Sequence, residues 1–249
     1  MKLRGALFDM DGTVVEVPYD WPRIRADLGA HEISILTYIS GLPEPEKSRK
    51  WAILQSFEDD ATRRAVLKRG MRSFLNFLEA HAVQTALVTN NSQKNVDALL
   101  DRFRLKFDCV LSRESGLWKP SGEPLRAAMR ILKLAADECC AIGDSHFDIR
   151  AAQEAGVARI FILSKDRSKF TSGSYAAWLA TGNRSRGFQG GVAPLVAGRG
   201  FMPRPRRGVR AAGSSRRPLE GVFPSKLASW PVEIFGTVAA LQKRFAELL

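Results

Sequence analysis

Cysteine is scarce in this chain, with three among 249 residues, and the three are not arranged as a metal knuckle. Cys109, Cys139 and Cys140 stand in apolar, strand-like stretches. That placement argues against a disulfide framework and predicts buried, reduced thiols, with Cys139 and Cys140 facing opposite sides of one strand. Long hydrophobic runs are missing as well: no uninterrupted apolar stretch approaches the roughly 18 residues a membrane span requires. Met1-Lys2-Leu3-Arg4-Gly5 leads straight into the first predicted strand without a signal-peptide pattern, so a cytoplasmic protein with no membrane contact is expected. Nothing in the composition is fibrous or collagen-like, and 45% hydrophobic residues suffice for a substantial core.

Acidic residues are absent between Asp166 and Glu220. Nine arginines from Arg184 to Arg217, with Arg167 and Lys169 ahead of them, account for almost all of the net charge of +12. The rest of the chain is nearly neutral. A stretch of Gly, Ser, Arg and Pro without hydrophobic periodicity predicts no stable structure over 166–222. Three readings compete for it: an arm that binds nucleic acid or an acidic partner through 184–217, an insertion particular to this lineage, or a shifted reading frame that resumes near Phe223. Only Phe188 and Phe201 interrupt its densest part, too few aromatics for a base-stacking platform.

What remains alternates. Strands are predicted over Gly5 to Asp9, Gln84 to Val88, Phe107 to Ser112, Cys139 to Ile142 and Ala158 to Leu163, with helices over Arg72 to His81, Ser92 to Phe103, Leu125 to Leu134 and Asp148 to Ala155. Strands separated by helices imply βαβ units, hence an α/β fold with a parallel, Rossmann-like sheet whose ligands bind at the carboxyl ends of the strands. Between Val15 and Lys68, apolar residues recur at helical spacing: Trp21, Ile24 and Leu28, then Ile33, Leu36 and Ile39, then Trp51, Ile53, Leu54 and Phe57. This predicts a small all-helical cap inserted after the first strand. The expected division is a core of 1–14, 70–165 and 223–249, a cap over 15–69, and the basic segment 166–222. The last stretch, from Trp230 to Ile234 and from Val238 to Leu249, reads as an extended piece and an amphipathic helix.

Chemistry-bearing residues follow the strands. Asp9-Met10-Asp11-Gly12-Thr13 puts two carboxylates on one side of a strand end and Met10 on the other. One acid in ionised form can attack an electrophile, and a second in protonated form can protonate a leaving group. Like charges this close favour a hard cation such as Mg²⁺. Thr89-Asn90-Asn91-Ser92 offers a hydroxyl and the N–H groups of a helix start to a phosphoryl group, with Ser92 as the helix N-cap. Trp118-Lys119-Pro120 brings an ammonium, and Gly143-Asp144-Ser145-His146-Phe147-Asp148 brings two further carboxylates.

These four motifs, in order and in strand context, resemble the haloacid dehalogenase superfamily over residues 1 to about 165 and, in the final helix, beyond. The short helical insertion resembles the cap of its phosphoglycolate-phosphatase-like members. The resemblance implies a Mg²⁺-dependent phosphatase acting on a small phosphorylated metabolite. It implies that Asp9 forms an aspartyl-phosphate, and that Asp11 protonates the leaving alcohol and then activates water. Thr89, Asn90 and Lys119 would hold the phosphoryl group, Lys119 serving catalysis as well. Asp9, the Asp11 carbonyl oxygen and Asp144 would hold the metal, with Asp148 in support. Asp11 separates this chain from the dehalogenases, which lack the second acid. A sugar phosphomutase of the same family is the alternative, and a scaffold that binds partners through its basic arm is the alternative of another kind. Tyr19, Arg23 and Arg25 could contact a substrate carboxylate but read first as a solvated helix face, Trp21 as cap core ahead of a substrate platform, His146 as a loop residue ahead of a contact to substrate or to the metal's surroundings, and His31 and His81 as non-catalytic.

Overall fold

A computed structural model describes residues 2–30, 34–170 and 232–249. Most of the basic segment, with its competing readings, lies outside the described residues, as do His31, Ile33, Trp230 and Pro231. Of the predicted segment only its start is described, where Arg167–Phe170 forms a 3-10 turn.

In chain order the described elements are β1 (Gly5–Phe8), β2 (Val15–Glu16), α1 (Trp21–Leu28), α2 (Ile35–Ser40), α3 (Glu46–Arg64), β3 (Val66–Leu67), α4 (Met71–Ala80), β4 (Gln84–Val88), α5 (Gln93–Phe103), β5 (Cys109–Leu111), α6 (Glu123–Leu132), β6 (Cys139–Gly143), α7 (His146–Ala155), β7 (Arg159–Leu163), β8 (Val232–Phe235) and α8 (Val238–Leu248). Six strands form one sheet in the order β5-β4-β1-β6-β7-β8, and each neighbouring pair is parallel. The first strand therefore sits inside the sheet, with Phe8 beside Leu87 of β4 and Ile142 of β6.

The period of two in the strands sorts the core into two layers. Ala6, Phe8, Leu87, Cys140, Ile142, Phe161 and Leu163 belong to one cluster, closed by Phe74 of α4 and Phe245 of α8. Leu7, Ala86, Val88, Cys139, Ala141, Ile160 and Ile162 belong to the other, closed by α6 and α7. Cys139 and Cys140 accordingly lie in different layers, and all three cysteines are free and buried. The rings of Phe8, Phe74, Phe245 and Phe161 form a chain of contacts across one face, with successive centroids 5.9, 5.0 and 5.4 Å apart. Each such buried ring contributes on the order of 1.5–3 kcal/mol of transfer free energy.

The chain leaves the sheet after β1 and returns to it through a two-stranded antiparallel pair, β2 with β3, which is too short to have been read from periodicity. Between them stand α1, α2 and α3, with a cluster of their own around Ile24, Leu28, Ile39 and Leu54. Local chemistry bounds these helices. Asp20 accepts from the Arg23 N–H and caps α1, which ends at Gly29 in the left-handed region, and Ser34 caps α2. Acidic Glu46 opens α3 and basic Arg63 and Arg64 close it, in the sense the helix dipole favours.

A buried ion pair fastens this helical layer to the sheet. Arg113, just after β5, donates to both carboxylate oxygens of Glu58 on α3 at 2.8 and 3.0 Å. Its guanidinium lies over the Trp51 ring, 4.9 Å from the centroid, and donates also to Gln55. The side chains of Arg113 and Glu58 are only 10% and 8% exposed, so neither charge can fall back on water if the other is removed. Arg113→Met is expected to cost about 3–5 kcal/mol of unfolding free energy, and Glu58→Leu combined with Arg113→Leu much less, as read by urea denaturation.

Candidate active site

The sheet delivers Asp9 at the end of β1, where its N–H donates to the Ile142 carbonyl at 2.8 Å and continues the ladder by one residue. The next residues alternate: Met10 is buried in the core, while Asp9 and Asp11 both line a cavity. The chain then turns at Gly12, whose φ is +86°. A Cβ at this position would lie 2.0 Å from the Asp144 Oδ2, so the turn needs glycine for its dihedral and for the carboxylate beside it.

Lys119 organises the floor of the cavity. Its ammonium donates to Asp9 Oδ1 at 2.5 Å and to Asp148 Oδ1 at 2.6 Å, and all three side chains are at most 10% exposed. The flanking carboxylates push the Lys119 ammonium well above the usual lysine range, against the opposing effect of its burial. Asp148 has a second task. Its Oδ2 accepts from the N–H groups of Asp144 and Ser145 and, at 2.6 Å, from the Ser145 hydroxyl, closing a capping box at the start of α7. Gly143 makes room for it, since a Cβ there would stand 2.3 Å from the Asp148 Cγ.

Asp11 sits differently. One carboxylate oxygen, Oδ2, accepts from Asn91 Nδ2 at 3.0 Å, whereas Oδ1 is buried without a hydrogen-bond partner. Burial, followed by the charge of Asp9, pushes the Asp11 carboxyl up to about 8. Asp9 and Asp144 are raised also, in both cases mainly by burial; for Asp9 the Lys119 charge offsets part of the rise, and for Asp144 the Asp9 charge adds to it. Burial thus shifts all three of these carboxyls toward their protonated forms, with the Lys119 charge opposing the shift at Asp9.

Oxygen atoms of Asp9, Asp144 and Asp148 lie within 4.8 Å of one another. Three carboxylates at this spacing form a hard-oxygen donor set that fits Mg²⁺. The Asp11 carboxyl is not among the three. Above them opens a cavity of about 420 Å³, lined by Thr89, Asn90 and Asn91 from the sheet side and by Trp21, Arg25, Ile35, Leu36 and Leu54 from the helical layer.

The residues expected from sequence thus converge on one cavity: Asp9, Asp11, Thr89, Asn90, Lys119 and Asp144 all line it, and Asp148 stands behind Lys119. Several details differ from expectation. Asn90 spends both ends of its amide on the backbone of Lys119, donating to its carbonyl at 2.9 Å and accepting from its N–H at 2.8 Å, so its side chain sets the lysine. Ser92 precedes α5 without a side-chain cap, and its hydroxyl accepts instead from Gln55 of the helical layer. Tyr19 and Arg25 line the cavity, while Arg23 stays exposed beside Asp27 and over Phe57. Trp21, expected in the cap core, is 48% exposed at the cavity wall and packs against Tyr19. His146 opens α7 rather than a loop, against Phe170, and His81 ends α4 with its ring bonded to the Phe77 carbonyl. Asn91 and the Glu58–Arg113 pair went unread. Asn91 stood in the same Thr-Asn-Asn-Ser run as Asn90, and only the fold distinguishes the two.

The raised carboxyl groups fix the sign of a pH effect. Between about pH 4 and 8 the folded protein keeps protons that the unfolded chain, with carboxyls near 3.8, has already lost. Stability therefore falls as pH rises across that interval. In thermal melts with a chelator, Tm is expected to decline from pH 5 to 8, and saturating Mg²⁺ is expected to flatten the decline.

Comparison with known proteins agrees with this geometry. Residues 17–162, more than half of the chain, match the family described as haloacid dehalogenase-like hydrolase. Asp9 and Asp11 precede the matched span. A haloacid dehalogenase-like hydrolase domain-containing protein of Arabidopsis thaliana is 28% identical over 62% of this chain and 69% of its own length. A phosphoglycolate phosphatase of Pseudomonas savastanoi is 32% identical over 37% of this chain, and the matched part spans only 35% of that enzyme. Among solved structures, a hydrolase from Pseudomonas syringae has the same fold, with a TM-score of 0.56 and 18% identity over 70% of this chain and 89% of that one. With the family match spanning the helical layer, strands β4 to β6, nearly all of β7 and all three later motifs, this chain belongs to the haloacid dehalogenase-like hydrolases.

Proposed function

We propose that this protein is a Mg²⁺-dependent phosphatase that hydrolyses a small phosphate monoester through an aspartyl-phosphate at Asp9. The observation that carries the reading is the pairing of two unlike carboxyls in one cavity: Asp9 held against the Lys119 ammonium, and Asp11, two residues on, buried and pushed up to about 8. The first is equipped as a nucleophile and the second as a proton donor at neutral pH.

In this mechanism an Asp9 oxygen attacks phosphorus, the bond to the leaving oxygen breaks, and Asp11 delivers its proton to that oxygen. Asp11, now ionised, takes a proton from water as the water attacks phosphorus, releasing inorganic phosphate and restoring Asp9. Lys119 and the Thr89 hydroxyl face the phosphoryl oxygens, and Asn90 keeps Lys119 in place through its backbone. Asp9 and Asp144, with the main-chain oxygen of Asp11 as the family pattern implies, would hold Mg²⁺, with Asp148 behind them. The ion supplies positive charge that offsets the phosphoryl group and the acids.

The helices α1 to α3 act as a small cap that encloses the leaving group and limits the substrate to a metabolite. Arg25, on the cavity wall, offers charge to a leaving group that carries its own anion, as the carboxylate of phosphoglycolate does. Among the described residues no helix is long and apolar enough to cross a membrane, and the three buried thiols suit a reducing compartment such as the cytoplasm.

A panel of phosphorylated metabolites with Mg²⁺, phosphoglycolate included, is expected to yield inorganic phosphate. A labelled hexose phosphate converted to its isomer would indicate a phosphomutase instead. Asp9→Asn is expected to lower turnover by about three orders of magnitude or more with an unchanged circular dichroism spectrum. Undiminished turnover in that variant excludes the mechanism.

A further inference from the structure

Asn91 is 2% exposed and uses its side-chain amide at both ends. Its Oδ1 accepts from the Ser92 backbone N–H at 2.8 Å and from Asn95 Nδ2 at 3.3 Å, at the start of α5. A backbone N–H can only donate, so the carbonyl end is fixed there and the orientation of the amide follows. The two hydrogens on Nδ2 then point into the site. One meets Asp11 Oδ2 at 3.0 Å and the other meets the Tyr19 hydroxyl, also at 3.0 Å.

Tyr19 comes from elsewhere in the fold. It lies between β2 and α1, at the entrance to the helical layer, with its ring 4.7 Å from that of Trp21. Its hydroxyl accepts the second Asn91 hydrogen, so both hydrogens of the amide are engaged. A donor facing Oδ2 also divides the labour within the Asp11 carboxyl. Oδ2 is an acceptor, so a proton carried by the group resides on Oδ1, the buried oxygen without a partner.

We propose that Asn91, braced by Tyr19, is a positioning residue that aims Asp11 Oδ1 at the leaving-group oxygen. The inference rests on Asp11 being the acid of the proposed phosphatase, and it adds residues from a strand end and from the entrance to the helical layer. Neither touches phosphorus; both act through Asp11. The chemical consequence is selective. An alkoxide cannot leave without a proton, whereas a 2,4-dinitrophenolate can, so misplacing Asp11 slows the first kind of ester and spares the second.

The test compares kcat/KM for phosphoglycolate or another alkyl phosphate that the wild-type protein hydrolyses with kcat/KM for 2,4-dinitrophenyl phosphate. This parameter reports steps up to the first departure of a leaving group, before Asp11 is needed as a base. Asn91→Leu, which removes both donors at similar volume, is expected to lower the alkyl value about 10- to 100-fold and to leave the dinitrophenyl value within about 3-fold. Tyr19→Phe, which deletes only a hydroxyl, is expected to give the same selectivity at about 3- to 10-fold, and carries the test if Asn91→Leu fails to fold. An equal loss on both esters, or no loss on either, overturns the proposal. A wild-type protein that hydrolyses neither ester overturns instead the phosphatase reading beneath it.

Discussion

A single ammonium, that of Lys119, allows the carboxyls of this site to share a small buried volume. Two acids taken out of water and set against one cation are stable only if the geometry is good and the remaining lone pairs find donors. Both conditions hold. Lys119 contacts Asp9 and Asp148 at 2.5 and 2.6 Å, and the other oxygen of Asp148 is satisfied by three donors at the start of α7. The lysine is itself held from behind, through two hydrogen bonds between its backbone and the Asn90 amide. Four strand ends are thereby tied together: β1 through Asp9, β4 through Asn90, the loop after β5 through Lys119, and β6 through Asp148. The glycines at 12 and 143 serve the same end, because a side chain at either would displace Asp144 or Asp148.

The helical layer completes what the sheet begins. Sheet residues supply charge and hydrogen-bonding groups to the cavity, and α1 to α3 supply most of its apolar wall. Enclosure of this kind lowers the local dielectric, which strengthens the attraction of Lys119 for Asp9 and raises the pKa of the Asp11 carboxyl. The layer is fastened by polar contacts as much as by packing. Glu58 with Arg113, Gln55 with Ser92, and Asp59 with Lys94 each join α3 to the loops or helix that follow β4 and β5. The Glu58–Arg113 pair is buried and bidentate, so it sets position and orientation together. Asn91 and Tyr19 extend the same logic to the acid.

The parallel sheet was legible because its strands are short, apolar on both faces and separated by helices of clear period, as the division of Cys139 and Cys140 between two core layers illustrates. The acids, Lys119 and Thr89 were legible because each follows a strand, where a parallel sheet collects its ligands. Other features depend on tertiary contact and leave no local signature. The pair β2 and β3 comprises two residues each, Asn91 differs from Asn90 only in where its amide points, and Arg113 finds Glu58 across 55 positions of sequence. Trp21 has helical spacing, yet its position on α1 turns it toward the cavity wall instead of the cluster around Ile24 and Leu28. Periodicity reports that a face is apolar; it does not report whether that face meets a core or a substrate.

The claim at the centre of this account is that Asp9 becomes phosphorylated. Quenching turnover in acid, reducing with borohydride and sequencing the peptide around Asp9 tests it directly, because an acyl phosphate on an aspartate is reduced to homoserine. Homoserine at position 9, dependent on substrate and absent from Asp9→Asn, is the result predicted. Phosphate release with no homoserine at position 9, or with the modification at another residue, would contradict it.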